Sequence, residues 1–87
     1  MAWEIEWDKK ALKQLESLDT PIQKKIHNYL AKLVFNNNPR SFGSGLTGDK
    51  AGWWRYRIGD YRVICRLENH HLVVVIIAVG HRKEIYD

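Results

Sequence analysis

The chain opens on a period of two. Trp3, Ile5 and Trp7 alternate with Glu4 and Glu6, the pattern of a short half-buried strand. At Asp8 the period lengthens. Ala11, Leu12, Leu15 and Leu18 fall on one side of a helix predicted to run to about Ser17, with Asp8 as its N-cap and Trp7 and Leu12 as a hydrophobic staple. A second helix is predicted from Thr20-Pro21-Ile22-Gln23: threonine caps, proline takes the first helical position and glutamine completes a capping box. Its apolar stripe of Ile22, Ile26, Tyr29, Leu30 and Leu33 fits a helix laid on a sheet along one side. Asn36-Asn37-Asn38-Pro39 ends it, and a glycine-rich loop follows to about Gly52.

Strand patterns fill the rest. Trp53 to Ile58 and Tyr61 to Arg66 are separated only by Gly59-Asp60, and a two-residue hairpin fixes register. It pairs Ile58 with Tyr61, Tyr56 with Val63 and Trp54 with Cys65 on one apolar face. After a turn at Glu68 to His71, the run Leu72 to Val79 is apolar on both faces, as an interior strand requires. Residues 80 to 87 leave that strand in a short C-terminal turn. The order β-α-α-β-β-β predicts a small single-domain α+β sandwich over residues 1 to 87, its mainly antiparallel sheet packed against the two N-terminal helices. No repeat, low-complexity segment or linker breaks the chain.

The same register puts Arg57 opposite Arg62, Arg55 opposite Ile64 and Trp53 opposite Arg66 on the other face. Like charges directly across an antiparallel pair destabilise it by roughly 0.2 to 1 kcal/mol, so this face is expected to meet an anion. The formal net charge of +4 agrees. Residue type separates the two halves more than charge does. Lysine dominates the first half, whereas Arg55, Arg57, Arg62, Arg66 and Arg82 all lie in the second. Arginine's planar fork suits bidentate contact with phosphate.

Several chemistries are excluded. A lone cysteine, Cys65, rules out an internal disulfide and a cysteine-based metal site, and its apolar setting marks a buried, inert thiol. His27, His70 and His71 lack ligand partners at a useful spacing, so no metal and no cofactor is expected. Gly45-Leu46-Thr47-Gly48-Asp49-Lys50 lacks the lysine-hydroxyl ending of a P-loop. The acidic opening does not suit a signal peptide and no apolar run can span a bilayer, so a cytoplasmic protein without membrane contact is expected. His81, Arg82 and Tyr86 stand where the interior strand leaves the sheet. If residues 82 to 86 form a helical turn, Arg82 and Tyr86 share a face. The plainer reading has Tyr86 capping the core and His81 solvated.

The segment Trp54 to Val63, with Val79-Gly80-His81-Arg82-Lys83-Glu84-Ile85-Tyr86, resembles the RelE/ParE superfamily of toxin-antitoxin toxins, on the RelE side. That resemblance implies a ribosome-dependent endoribonuclease, an mRNA interferase that cleaves messenger RNA in the ribosomal A site. The ribose 2′-hydroxyl would attack the adjacent phosphate and leave a 2′,3′-cyclic or 3′-phosphate end. It also implies a cognate antitoxin, and operator DNA bound by the toxin-antitoxin complex through the antitoxin. Arg55 and Arg57 match two basic residues of the first hairpin strand, lysines in the best-known members, and Arg62 matches a phosphate-binding arginine. Arg82 matches the arginine that stabilises the transition state and is a proposed acid, and Tyr86 a tyrosine that orients or stacks on the substrate. Arg66 and Trp53 extend the expected RNA-binding face.

An arginine stays protonated at physiological pH, so Arg55 and Arg57 are poorer bases than lysines. Histidine exchanges protons near neutral pH, which makes His81 the preferred base or shuttle, with Tyr86 the second choice. Arg57, His81, Arg82 and Tyr86 form the expected catalytic set. Two other readings keep some of these features: a ParE-like poison of DNA gyrase on the same fold, and a non-catalytic module that binds nucleic acid through Trp53 and the arginines.

Overall fold

The structure is a computed structural model and describes residues 2–85. Its strands are β1 (Glu4–Trp7), β2 (Ser44–Gly45), β3 (Trp53–Ile58), β4 (Tyr61–Glu68) and β5 (Val73–His81); its helices are α1 (Lys9–Glu16) and α2 (Thr20–Asn36). The five strands lie in the order β1-β5-β4-β3-β2. β1 runs parallel to β5 and the other neighbours are antiparallel. Both helices contribute to one core with the sheet. Ala11 and Leu15 of α1, and Ile26, Leu30 and Leu33 of α2, pack with Tyr56, Val63, Cys65, Val74, Ile76 and Val79.

Local chemistry explains the helix ends, with two corrections to the expected caps. Asp8 caps α1 by accepting from the Lys10 N–H at 3.3 Å. Thr20 is the first helical residue rather than the cap, and Asp19 takes the cap position without a side-chain bond. Gln23 makes no capping box. Its amide donates to the Leu18 carbonyl at 2.7 Å, tying α2 back to the end of α1. Leu12, expected on the buried stripe, is 40% exposed. Asn37 ends α2 in the left-handed region at φ 56°, a conformation asparagine tolerates. Its Oδ1 accepts from the Trp3 N–H at 3.0 Å, which pins the start of the chain to the end of α2.

The expected hairpin register is the observed one from Trp53↔Arg66 through Ile58↔Tyr61. Gly59, at φ +59°, supplies the positive φ that a tight primed turn needs at its first central position. Two features were not expected. The glycine-rich loop contains β2, which pairs Ser44 with Arg55 and Gly45 with Trp54. In β5, Ile64 faces Ala78 while Cys65 faces Ile76, so Ile77 is the extra residue of a β-bulge. The bulge shifts the inward phase from Val74 and Ile76 to Val79, and every side chain after it changes face. Beyond the end of β1, α1 covers the edge of β5, and the Gln14 Oε1 accepts from the Val79 N–H at 2.9 Å.

Candidate nucleic-acid interface

The hairpin turn and the end of β5 meet at one tip of the sheet. The Arg82 N–H donates to the Asp60 carbonyl at 2.8 Å, and Arg82 Nε lies 3.8 Å from Asp60 Oδ1. Both side chains are more than half exposed, so this pair contributes little stability and yields readily to a stronger anion. His81 pairs with Tyr61 in register, and their rings meet edge to face with centroids 5.4 Å apart. The His81 Nδ1 accepts from the Lys83 N–H at 3.1 Å. A neutral imidazole so bound carries its proton on Nε2.

Because of the bulge, His81 shares the helix-side face with Tyr61, whereas Arg62 pairs with Gly80 on the other face. The groups expected to border one groove are therefore gathered around the tip from both sides of the sheet. Arg62 is 6% exposed, and its guanidinium donates to the carbonyls of Gly59 at 3.0 Å and Tyr61 at 2.9 Å. These turn carbonyls take up part of the charge that faces Arg57, which relieves the like-charge pairing. Arg57 itself is exposed.

Arg55 and Arg57 also line a pocket of about 360 Å³ on the outer edge of β3, with Tyr29, Gly43 and Ser44. The Arg55 guanidinium donates to Ser44 Oγ at 3.2 Å. Burial raises the pKa of the Tyr29 phenol above its ordinary value, so it remains a hydrogen-bond donor. Gly43 adopts φ +72°, and a Cβ there would lie 2.2 Å from the Arg55 carbonyl; only glycine fits.

Arg66 and Trp53 lie apart from this cluster. They face each other four residues along β4 from Arg62, about 13 Å away at the rise of a strand. Arg66 is paired with Glu68 at 3.2 Å. Trp53 instead walls a groove of about 290 Å³ on the second face of the sheet, with Ile64, Ile77, Ala78 and Ile85, and with Lys10, Lys50 and Glu84 also lining it. At the C-terminus, Glu84 and Ile85 turn back on the His81 carbonyl, and Ile85 rests on Gly80. Tyr86 lies outside the described residues. Among those described, no group of three or more metal-ligating side chains forms, and no helix is long and apolar enough to cross a membrane.

Sequence reasoning missed Asp60, Tyr61, Tyr29 and Ser44. Asp60 and Tyr61 read in the sequence only as turn and core residues, although their position in the hairpin places them at the tip. Tyr29 and Ser44 come together through β2, which has no apolar pattern.

Two helices on one face of a five-stranded mixed sheet are the architecture of the RelE-type toxins. The toxin-antitoxin complex RelBE2 from Mycobacterium tuberculosis contains a chain that superposes with a TM-score of 0.84 at 26% identity, covering 94% of this chain and 100% of that one. The family described as the ParE toxin of type II toxin-antitoxin systems, parDE, matches residues 5–86, and the chain belongs to that family. Its relatives include Toxin RelE of M. tuberculosis, 34% identical over 68 residues, which are 75% of this chain and 70% of that protein. Toxin RelG of the same organism is 37% identical over 51 residues, 59% of each chain. The match thus spans about three fifths of RelG.

Proposed function

We propose that this chain is the toxin of a toxin-antitoxin system and acts as a RelE-like, ribosome-dependent endoribonuclease on messenger RNA. The observation that carries the reading is the tip cluster, where Arg57, Arg62, Arg82 and His81 surround one hairpin turn. Attack of the 2′-hydroxyl on phosphate forms the 2′,3′-cyclic ester and expels the 5′-oxygen. This needs positive charge for the developing phosphorane and a path for the hydroxyl proton to the leaving oxygen; with no well-placed base, solvent water takes the first proton and supplies the second. Arg82 and Arg57 supply the charge, and the scissile phosphate displaces Asp60 from Arg82. Arg62 acts mainly as a positioning residue, holding the turn from which Arg57 and Arg82 reach out.

The Lys83 bond to Nδ1 supports a modified role for His81. In this placement its Nε2–H is suited to donating to a phosphate oxygen, while taking a proton would require release of the Lys83 N–H. A missing general base lowers the rate by about 100- to 10,000-fold, so positioning and electrostatics carry more of the catalysis here than in relatives with lysines. Tyr86 keeps the substrate-orienting role that the resemblance assigns it. The whole chain is read as one toxin domain without a cofactor, working in the cytoplasm.

The relatives crystallised with their antitoxins support a cognate antitoxin here too. The groove walled by Trp53, Ile64, Ile77 and Ile85, with Lys10 and Lys50 beside it, suits an amphipathic segment carrying acidic residues. Operator DNA would then be bound through the antitoxin. Gyrase poisoning is the second reading, favoured by the ParE name of the matching family. Expression in a bacterial host tests the choice. The wild-type chain is expected to arrest growth with loss of translation, and the folded double variant Arg82→Ala, Tyr86→Phe to be harmless. A toxic double variant, or arrest through broken chromosomes, would contradict the nuclease reading.

A further inference from the structure

We infer that the pocket walled by Tyr29 at the open edge of β3 is a nucleotide subsite, which seats a base of the RNA beside the scissile phosphate and so sets cleavage preference. The inference rests on the nuclease reading and adds to it a residue that selects sequence. β2 pairs with Trp54 and Arg55, and among the described residues no strand pairs with the outer edge of β3 from Tyr56 onward. Arg55 and Arg57 reach this edge from one face of the sheet and Tyr29 from the helix side. The volume of about 360 Å³ falls within the range of sites for small molecules, roughly 300 to 1,000 Å³.

The lining points to a nucleotide. Arg55 and Arg57 stand about 7 Å apart along the strand, close to the repeat of successive phosphates in an extended nucleic-acid chain. No carboxylate is among the described lining residues. The opposite wall is the backbone of Gly43, held tightly against the Arg55 carbonyl and the Trp54 and Tyr56 side chains, where no side chain could be added, so that wall is fixed. Tyr29 is held between Phe42 and Tyr56, an ordered aromatic surface with a hydroxyl for a base edge. An acidic peptide would use the arginines but gain little from a tyrosine wall.

The first arm of the test titrates the protein with adenosine 3′-monophosphate and follows backbone amide resonances, which needs no cleavage. Shifts are expected at Tyr29, Ser44, Arg55 and Arg57, with affinity at least about tenfold above that of inorganic phosphate, the usual scale of base stacking on an aromatic ring. Equal responses to phosphate or to a short polyglutamate peptide, or shifts confined to Asp60 and His81, would overturn the proposal. The second arm maps ribosome-dependent cut sites for Ser44→Phe, which fills the pocket from an exposed position, and Tyr29→Phe, which keeps the ring. Ser44→Phe should lose the nucleotide shifts and cut preferred sites at least about tenfold more slowly, and both variants should reorder the sites. Wild-type rate and ranking in Ser44→Phe would refute the subsite. If the wild type cuts nothing, the nuclease reading fails, and the titration alone decides whether the pocket holds nucleotides.

Discussion

A guanidinium buried beside a two-residue turn must place five N–H donors, and Arg62 commits one nitrogen to the Gly59 and Tyr61 carbonyls. Removing it leaves those part-buried acceptors without their charged donor. Arg62→Ala is expected to lower stability by about 1 to 3 kcal/mol in a urea melt and to broaden the Asp60 and Arg82 resonances. An unchanged melt would mean that the turn stands without it. Cys65 presents the opposite case, a group that burial silences. Fully buried at the core end of its strand pair, its thiol is pushed up to about 12, chiefly by burial. The folded state therefore prefers the neutral thiol. Its stabilising effect is present below the ordinary value of 9.0 and is lost as pH rises from there toward about 12. Tyr56 is shifted upward mainly by burial as well, so stability should decline in alkali. Iodoacetamide at pH 8 should label the native protein at least about a hundredfold more slowly than the urea-unfolded chain. Rapid labelling of the native protein would contradict the buried placement.

Among the elements, the hairpin was legible because two residues leave only one register, and the spacing of Ile22, Ile26, Leu30 and Leu33 located α2 equally well. The caps were less legible. Asp19 and Thr20 are both competent N-cap types, and the hydrogen bonds of Gln23 decide between them only in three dimensions. The bulge at Ile77 could not be read. Leu72 to Val79 is apolar throughout, so the run carries no period from which a change of phase would show. Without the bulge, His81 falls on the wrong side of the sheet. β2 was hidden for the reverse reason, since Ser44-Gly45 has no apolar residue. The contact between α1 and β5 has its own test. Gln14→Ala leaves the Val79 N–H unpaired at a partly buried edge and is expected to cost about 1 to 3 kcal/mol, with faster exchange of that amide. Unchanged amide protection would show that the edge does not depend on Gln14.

For the molecule as a whole, a net charge of +4 is modest, and its arrangement matters more than its size. The lysines lie mostly on the helices, while Arg57, Arg62 and Arg82 converge on one tip, with Asp60 as a counter-ion that an incoming phosphate can replace. Arg57, Arg62 and Arg82 were legible as a set, because the hairpin register and the exit of β5 bring them together. Arg66 and Trp53 share a face as the register requires, but they lie too far along β4 to join the tip. The pairing of His81 with Tyr61 and the pocket at Tyr29 depend on the bulge and on β2, neither of which leaves a sequence signature. The most direct test incubates the purified protein with a defined messenger RNA, with and without programmed ribosomes, and maps the cut sites and new 3′ ends for wild type and Arg82→Ala. Cleavage only on ribosomes, with cyclic or 3′-phosphate ends and a loss of about a hundredfold or more in Arg82→Ala, is the predicted result. No cleavage by the wild type on ribosomes, or cleavage unaffected by Arg82→Ala, would contradict it.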